Sequence, residues 1–136
     1  MAIKTNTLSD SFARCNLNPH FIDRFYEIFL ASNPIFAQMF AKTDFSKQQD
    51  LLRRSISMMI LFAEGNVVGK LAMDRLGDSH GQDGMKIPAD LYRFWSESLL
   101  KCVSELDPQH DSSIGAAWRA AAEKTVNHLI TKGRMG

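Results

Sequence analysis

Along almost the whole chain apolar residues recur at intervals of three and four, the period of helices that bury one side. Between Asn18 and Ala31, Phe21, Ile22, Phe25, Tyr26, Phe29 and Leu30 form one such face, with Pro19 where a first helical turn tolerates it. Asn33-Pro34 closes that helix, because proline disfavours helical geometry in the residue before it, and a short turn, "PIFAQMF", restarts beyond the corner. With Asp44 or Ser46 as cap, Leu51, Leu52, Ser55, Met58, Met59 and Phe62 trace the next helix, which ends near Gly65. A weaker segment runs from Val67 to His80. Pro88 is expected to open a helix whose buried stripe is Leu91, Trp95, Leu99, Cys102 and Leu106. The last helix is predicted from about Ser112 to Thr131, with Ile114, Trp118, Ala121, Ala122, Thr125, Leu129 and Ile130 inward. A short amphipathic segment, Thr7 to Cys15, precedes them all.

No stretch alternates with the period of a strand, and no internal repeat is visible. The fold class is therefore all-α: about seven helices packed by ridges into grooves. Short connections, with longer loops only around 41–46 and 81–87, predict a single domain over residues 1–136.

Composition narrows the partners. Sixteen Lys and Arg against 15 Asp and Glu, a net charge of +1, create no field to attract nucleic acid or an anionic membrane. The longest apolar run, "SMMILFA", cannot span a bilayer, and "MAIKTNTLSD" lacks the apolar core of a signal peptide. Two cysteines are too few for a disulfide scaffold, so a cytoplasmic location is expected. Phosphate loops, His-Glu-His metal signatures, zinc-spaced cysteine pairs and nucleophile elbows are all missing.

Four histidines remain as candidate chemistry. His20, His110 and His128 read as surface or capping residues. His80 stands four residues after Leu76, at the end of its segment and before a glycine-rich break. There, free carbonyls of a last helical turn can accept one ring N–H and orient the other nitrogen as a metal ligand.

Three stretches give this setting a meaning: "FYEIFLASNPIFAQMF" (25–40), "RLGDSH" (75–80), and "IPADLYRFWSESLLKCV" (87–103) with "AAWRAAAEKTV" (116–126). In order and spacing they resemble the globin family, specifically the bacterial single-domain globins and the globin part of flavohaemoglobins. Phe25-Tyr26, Asn33-Pro34 and Phe40 match the family's distal pattern, and His80, Pro88 and Tyr92 its proximal one. The resemblance implies a globin fold holding haem b, with His80 as the iron ligand and Tyr26 donating a hydrogen bond to a bound gas such as O2, NO or CO. Haem is a large apolar disc, so a slot lined by Phe40, Leu51, Leu52, Leu76, Met59, Trp95 and Leu99, with Tyr92 near the proximal side, suits it at about 25 cal/mol per Å² of buried apolar surface.

The family's distal position on the fourth helix falls on Lys47 in a gapless count from Phe40, with Leu51 one turn on; a one-residue insertion puts Gln48 and Leu52 there. The gapless register is preferred because it leaves Arg53 and Arg54 outward; Lys47 then reaches a haem propionate or solvent, and Gln48 lies beside it. Without the resemblance, Tyr26 and Phe40 are plain core aromatics, Lys47 and Gln48 a solvated face, and Tyr92, Trp95 and Trp118 packing residues with polar tips at the rim. The methionines read as core filler and Cys102 as a small apolar residue.

Two departures from the family bear on activity. These 136 residues hold no flavin or NAD reductase domain, so NO dioxygenation would need an external reductase. The family's proximal glutamate falls near Gly133, which implies a less electron-donating His80 and weak oxygen activation. Reversible binding of diatomic gases is the expected function. A sensing module, an NO dioxygenase with a separate reductase, and a globin fold that has lost haem are the alternatives. The charged stretches "RRS" and "KQQD" give no clear dimer face.

Overall fold

Capping side chains set where most of the helices begin. The structure, a computed structural model, describes residues 7–80 and 90–135, with side chains described for 7–75 and 90–131. Among these residues there are seven helices and no strand: α1 (Leu8–Asn16), α2 (Phe21–Ser32), α3 (Pro34–Met39), α4 (Phe45–Ala63), α5 (Val67–His80), α6 (Leu91–Leu106) and α7 (Ser112–Met135). Thr7 and Asp10 form a reciprocal capping box on α1, each side chain accepting from the other's backbone N–H at 3.1 Å. Asn33 ends α2 in an extended conformation and caps α3 by accepting from the Ile35 N–H at 3.0 Å, with Pro34 in the first turn. Asp44 is the cap of α4; its Oδ1 accepts from the Ser46 N–H and hydroxyl at 3.1 and 2.6 Å. Asn66 and Asp111 do the same for α5 and α7 at 2.8 Å each.

The expected elements are present, with shifted ends. Helix α2 starts at Phe21 rather than Asn18, and exposed His20 precedes it without a side-chain cap bond. Helix α7 runs past Thr131 to Met135. Pro88 lies outside the described residues; α6 begins at Leu91, after Asp90.

Helix α2 packs on α6, α7 on α4 and α6, and α5 on α4 and α7. Their inward stripes meet around Phe21, Phe25, Ile56, Met59, Leu99 and Trp118, all buried. The phase of α4 differs from the expectation. Its buried stripe is Leu52, Ile56, Met59 and Ile60, whereas Leu51 is 49% exposed and Met58 half-buried. Adjacent leucines point about 100° apart on a helix, so one stripe can centre on only one of them. Trp95 and Leu106 are likewise half-buried on a stripe expected to be fully enclosed.

A buried polar network ties the chain's beginning to its second half. Asp107, at the end of α6, accepts from the Ser11 hydroxyl at 2.5 Å and from Arg14 Nε and an Nη at 2.6 and 2.9 Å. The Ser11 oxygen in turn accepts from the Trp118 indole N–H at 2.9 Å. Every member thus has a partner, as burial demands. Cys15 and Cys102 are free and buried, and burial pushes both thiols up to about 12, which keeps them inert. This agrees with reading Cys102 as a small apolar residue.

Thr125, on the inward face of α7, is buried, and its hydroxyl has no hydrogen-bond partner in the structure. Thr125→Val keeps the shape and removes the stranded polar group, so it is expected to raise unfolding stability by about 1 kcal/mol, read by urea titration. No helix among the described residues is long and apolar enough to cross a membrane.

Candidate functional site

Aromatic residues of α2, the segment after α3 and the start of α4 pack into one wall. Phe25 meets Tyr26 edge-on at 5.3 Å, and Tyr26 meets Phe45 edge-on at 5.2 Å. Phe45 lies 6.4 Å from Phe40, which in turn sits edge-on to Phe29 at 5.8 Å. Trp95 of α6 joins through Phe25 at 6.1 Å. Tyr92 is buried in the first turn of α6, where burial raises its hydroxyl, and Leu99 is fully enclosed. Phe45 was not among the expected site residues. As the first residue of α4 it sits inside a capping signal, where residues are read for turn chemistry rather than packing.

Tyr26 points its hydroxyl at the first turn of α4, donating to the main-chain carbonyl of Gln48 at 3.4 Å. That is longer than a good O–H···O bond, so the hydroxyl is held loosely. Burial pushes its pKa up to about 12, the nearby Gln48 side chain only partly offsetting this, so it stays protonated and available as a donor. On this stretch of α4 Gln48 is half-buried and Leu52 buried, while Lys47 is exposed. The stripe through Leu52, Ile56 and Met59 turns Gln48 toward the interior and leaves Lys47 about 100° away, in the solvent-facing place that the gapless register allowed it.

Helices α4 and α5 form a hairpin. Gly65 turns the chain with a φ of +81°, a conformation that favours glycine, and α5 doubles back so closely that a Cβ on Gly69 would lie 2.4 Å from the Phe62 nitrogen. Because Gly69 presses on the Leu61–Phe62 peptide, α5 lies on the flank of α4 that carries Met58 and Leu51 farther back. Along that flank Phe62 is 7% exposed, Met58 half-buried and Leu51 49% exposed. An apolar wall thus opens progressively away from the hinge.

The axial candidate belongs to the open end. Helix α5 is 14 residues long, about 20 Å at its normal rise, and the same length measured back from Ala63 along α4 reaches the turn between Gln48 and Leu52. Position 80 lies about two and three whole turns along α5 beyond buried Met73 and Gly69 respectively. The side chains of Leu76 and His80 lie outside the described residues.

No family model and no curated protein matches the chain. Among solved structures, PA3967 from Pseudomonas aeruginosa, characterised as structurally highly homologous to a human haemoglobin, is 32% identical, with a TM-score of 0.86 over 93% of this chain and 95% of that one. The chain belongs to the globin family. In this globin the residues of the hairpin suit the cofactor its family implies. Haem needs an apolar wall, which the half-exposed Leu51 and half-buried Met58 can offer, and Tyr26 holds a hydroxyl donor at the first turn of the same helix.

Three other histidines are now placed. His20 is exposed, as expected. His110 is half-buried, its ring 3.2 Å from where a Cβ on Gly115 would be. His128 departs from the surface reading: it is half-buried, and its Nε2 lies 2.6 Å from Asp74 of α5.

Proposed function

We propose that this globin binds haem b between α4 and α5, with His80 as the axial ligand of the iron, and that it holds O2, and also NO or CO, reversibly on the Tyr26 side. The observation that carries this reading is the apolar flank of α4, half-exposed at Leu51 about as far from the hinge as position 80, on a helix whose first turn also takes the loosely held Tyr26 hydroxyl at the Gln48 carbonyl. When bound, haem would supply an iron atom able to take up a diatomic gas.

The chain's own residues do the rest. Tyr26, protonated because it is buried, donates a hydrogen bond to a gas that carries partial negative charge and slows its escape. Leu52 and Met59, both buried, keep water from that side and strengthen the bond by lowering the local dielectric. Phe40 and Phe45 brace the tyrosine ring. Exposed Lys47 is free to pair with a propionate at the rim.

The test is the absorption spectrum after haem addition in ferric, dithionite-reduced and CO-bound forms, with His80→Ala and Tyr26→Phe in parallel. A sharp Soret band that moves with CO is expected in the native protein, and it should be lost or altered in His80→Ala. Tyr26→Phe keeps the band and is expected to release O2 about tenfold faster, the worth of one hydrogen bond to a charged acceptor. An unchanged release rate removes Tyr26 from this role. A native protein with no specific haem spectrum overturns the reading and leaves a globin fold without its cofactor.

A further inference from the structure

Among its described side chains, helix α5, which ends at His80, turns few large apolar groups inward. Val67, Val68 and Leu71 are exposed, and of its large described side chains only Met73 is fully buried. What also holds it is polar. Asp74 lies with one carboxylate oxygen 2.6 Å from His128 Nε2 of α7 and the other 3.0 Å from Lys70 Nζ of α5 itself. Lys70 first, and His128 after it, hold the Asp74 carboxyl below its ordinary range, so it is an acceptor and His128 donates through Nε2–H. The His128 ring also rests against Phe62, in the last turn of α4, with centroids 4.9 Å apart. Lys124 of α7 donates to the Phe62 carbonyl at 2.9 Å and stands 4.6 Å over its ring. Three helices therefore meet at one node.

We infer that His128 and Asp74 are positioning residues for the axial ligand: their bond fixes the line of α5 and so places His80 toward the iron. The inference rests on the proposed haem site. A stiff helix needs two attachment points to fix its direction, and α5 has them at Gly69 against α4 and at Asp74 against α7. His80 lies six residues past the second, about 9 Å farther along the axis. Releasing the second point leaves the described part of α5 held by Gly69 and buried Met73 without its polar tie to α7, with His80 at its far end. Nothing in the local sequence around His80 announces this, because the restraint comes from a residue 54 positions away from its partner.

The test compares His128→Phe, which keeps a ring against Phe62 but has no N–H to donate, with Asp74→Asn, which keeps an oxygen to accept. Hydrogen exchange on the haem-free protein reads the pin directly. The amides of α5 are expected to exchange about tenfold faster in His128→Phe, with α2 and α6 unchanged, and to stay near native rates in Asp74→Asn. On the haem-loaded ferrous protein, resonance Raman reads the iron–histidine stretch, which is expected to shift in His128→Phe and to hold its native frequency in Asp74→Asn. Native exchange in α5 of His128→Phe overturns the pin, and a loosened α5 with an unmoved stretch overturns its role in placing His80. A native protein that shows no iron–histidine band overturns the haem reading instead, while the exchange result still decides whether the pin exists.

Discussion

Asp107→Ala is expected to cost about 3–5 kcal/mol of unfolding stability, the largest loss of any single change away from the apolar core. The Asp107 side chain has no exposed surface, and four donors converge on it: the Ser11 hydroxyl, two Arg14 nitrogens and the Gln109 backbone N–H. Alanine leaves Arg14 without its carboxylate, and Arg14 keeps only 16% of its side-chain surface in water. It also removes the acceptor of the Ser11 proton while Trp118 still donates to the Ser11 oxygen. Removing one partner of a buried pair costs far more than the pair is worth, because the remaining charge stays desolvated. Urea unfolding by Trp fluorescence is a suitable measurement, since Trp118 is in the network. A loss under 1 kcal/mol would mean that water replaces the carboxylate.

The same carboxylate shapes the acid limb of stability. The Arg14 bond, helped by Ser11 and the Gln109 N–H and opposed by burial, lowers its pKa from 3.8 to about 2. A carboxyl held below its unfolded value contributes stability that is fully present above the unfolded pKa and is lost as pH falls through the folded one. The native protein therefore loses about 2 kcal/mol from this group between pH about 4 and about 2. Asp107→Ala lacks that component, so the stability gap between the two proteins narrows across that window.

Local pattern was enough for much of this molecule. The face of α2 through Phe21, Phe25 and Phe29, the Asn33-Pro34 corner, and the stripe of α7 through Ile114, Trp118 and Ala122 follow from spacing, since a helix that buries one side must repeat apolar residues at its own period. Tyr26 and His80 became candidates through the order of several short stretches. What escaped is set by long-range geometry. Leu51 and Leu52 suit an apolar face equally well, and only the packing of other helices on α4 decides that Leu52 is buried, Gln48 half-buried and Lys47 exposed. His128 looks like a surface residue until Asp74 is brought beside it, and Asp107 looks like a turn residue until α1 folds onto it from 96 positions away. Polar partners leave no periodic trace, because a single bond does not repeat along the chain.

Gly69→Ala is expected to destabilise the protein by about 2 kcal/mol, although alanine is the better helix former by about 1 kcal/mol. The added Cβ would stand 2.4 Å from the Phe62 nitrogen and 2.7 Å from the Leu61 carbonyl carbon. Both are backbone atoms of α4, so no side-chain rotation can make room, and α5 must retreat by about 1 Å to reach an ordinary contact. Gly65 provides the control: a Cβ there meets nothing within 4 Å, and Gly65→Ala bears only the strain of its left-handed backbone, about 1 kcal/mol. The two glycines thus separate crowding from conformation within one hairpin. Because α5 is held at Gly69 and Asp74, pushing the first point away tilts the helix about the second and moves its His80 end. Thermal unfolding reads the loss, and weaker haem retention in Gly69→Ala than in Gly65→Ala reads the tilt. If Gly69→Ala matches the native protein in both, α5 slides freely on α4, and the close hinge contact does not set the width of the slot.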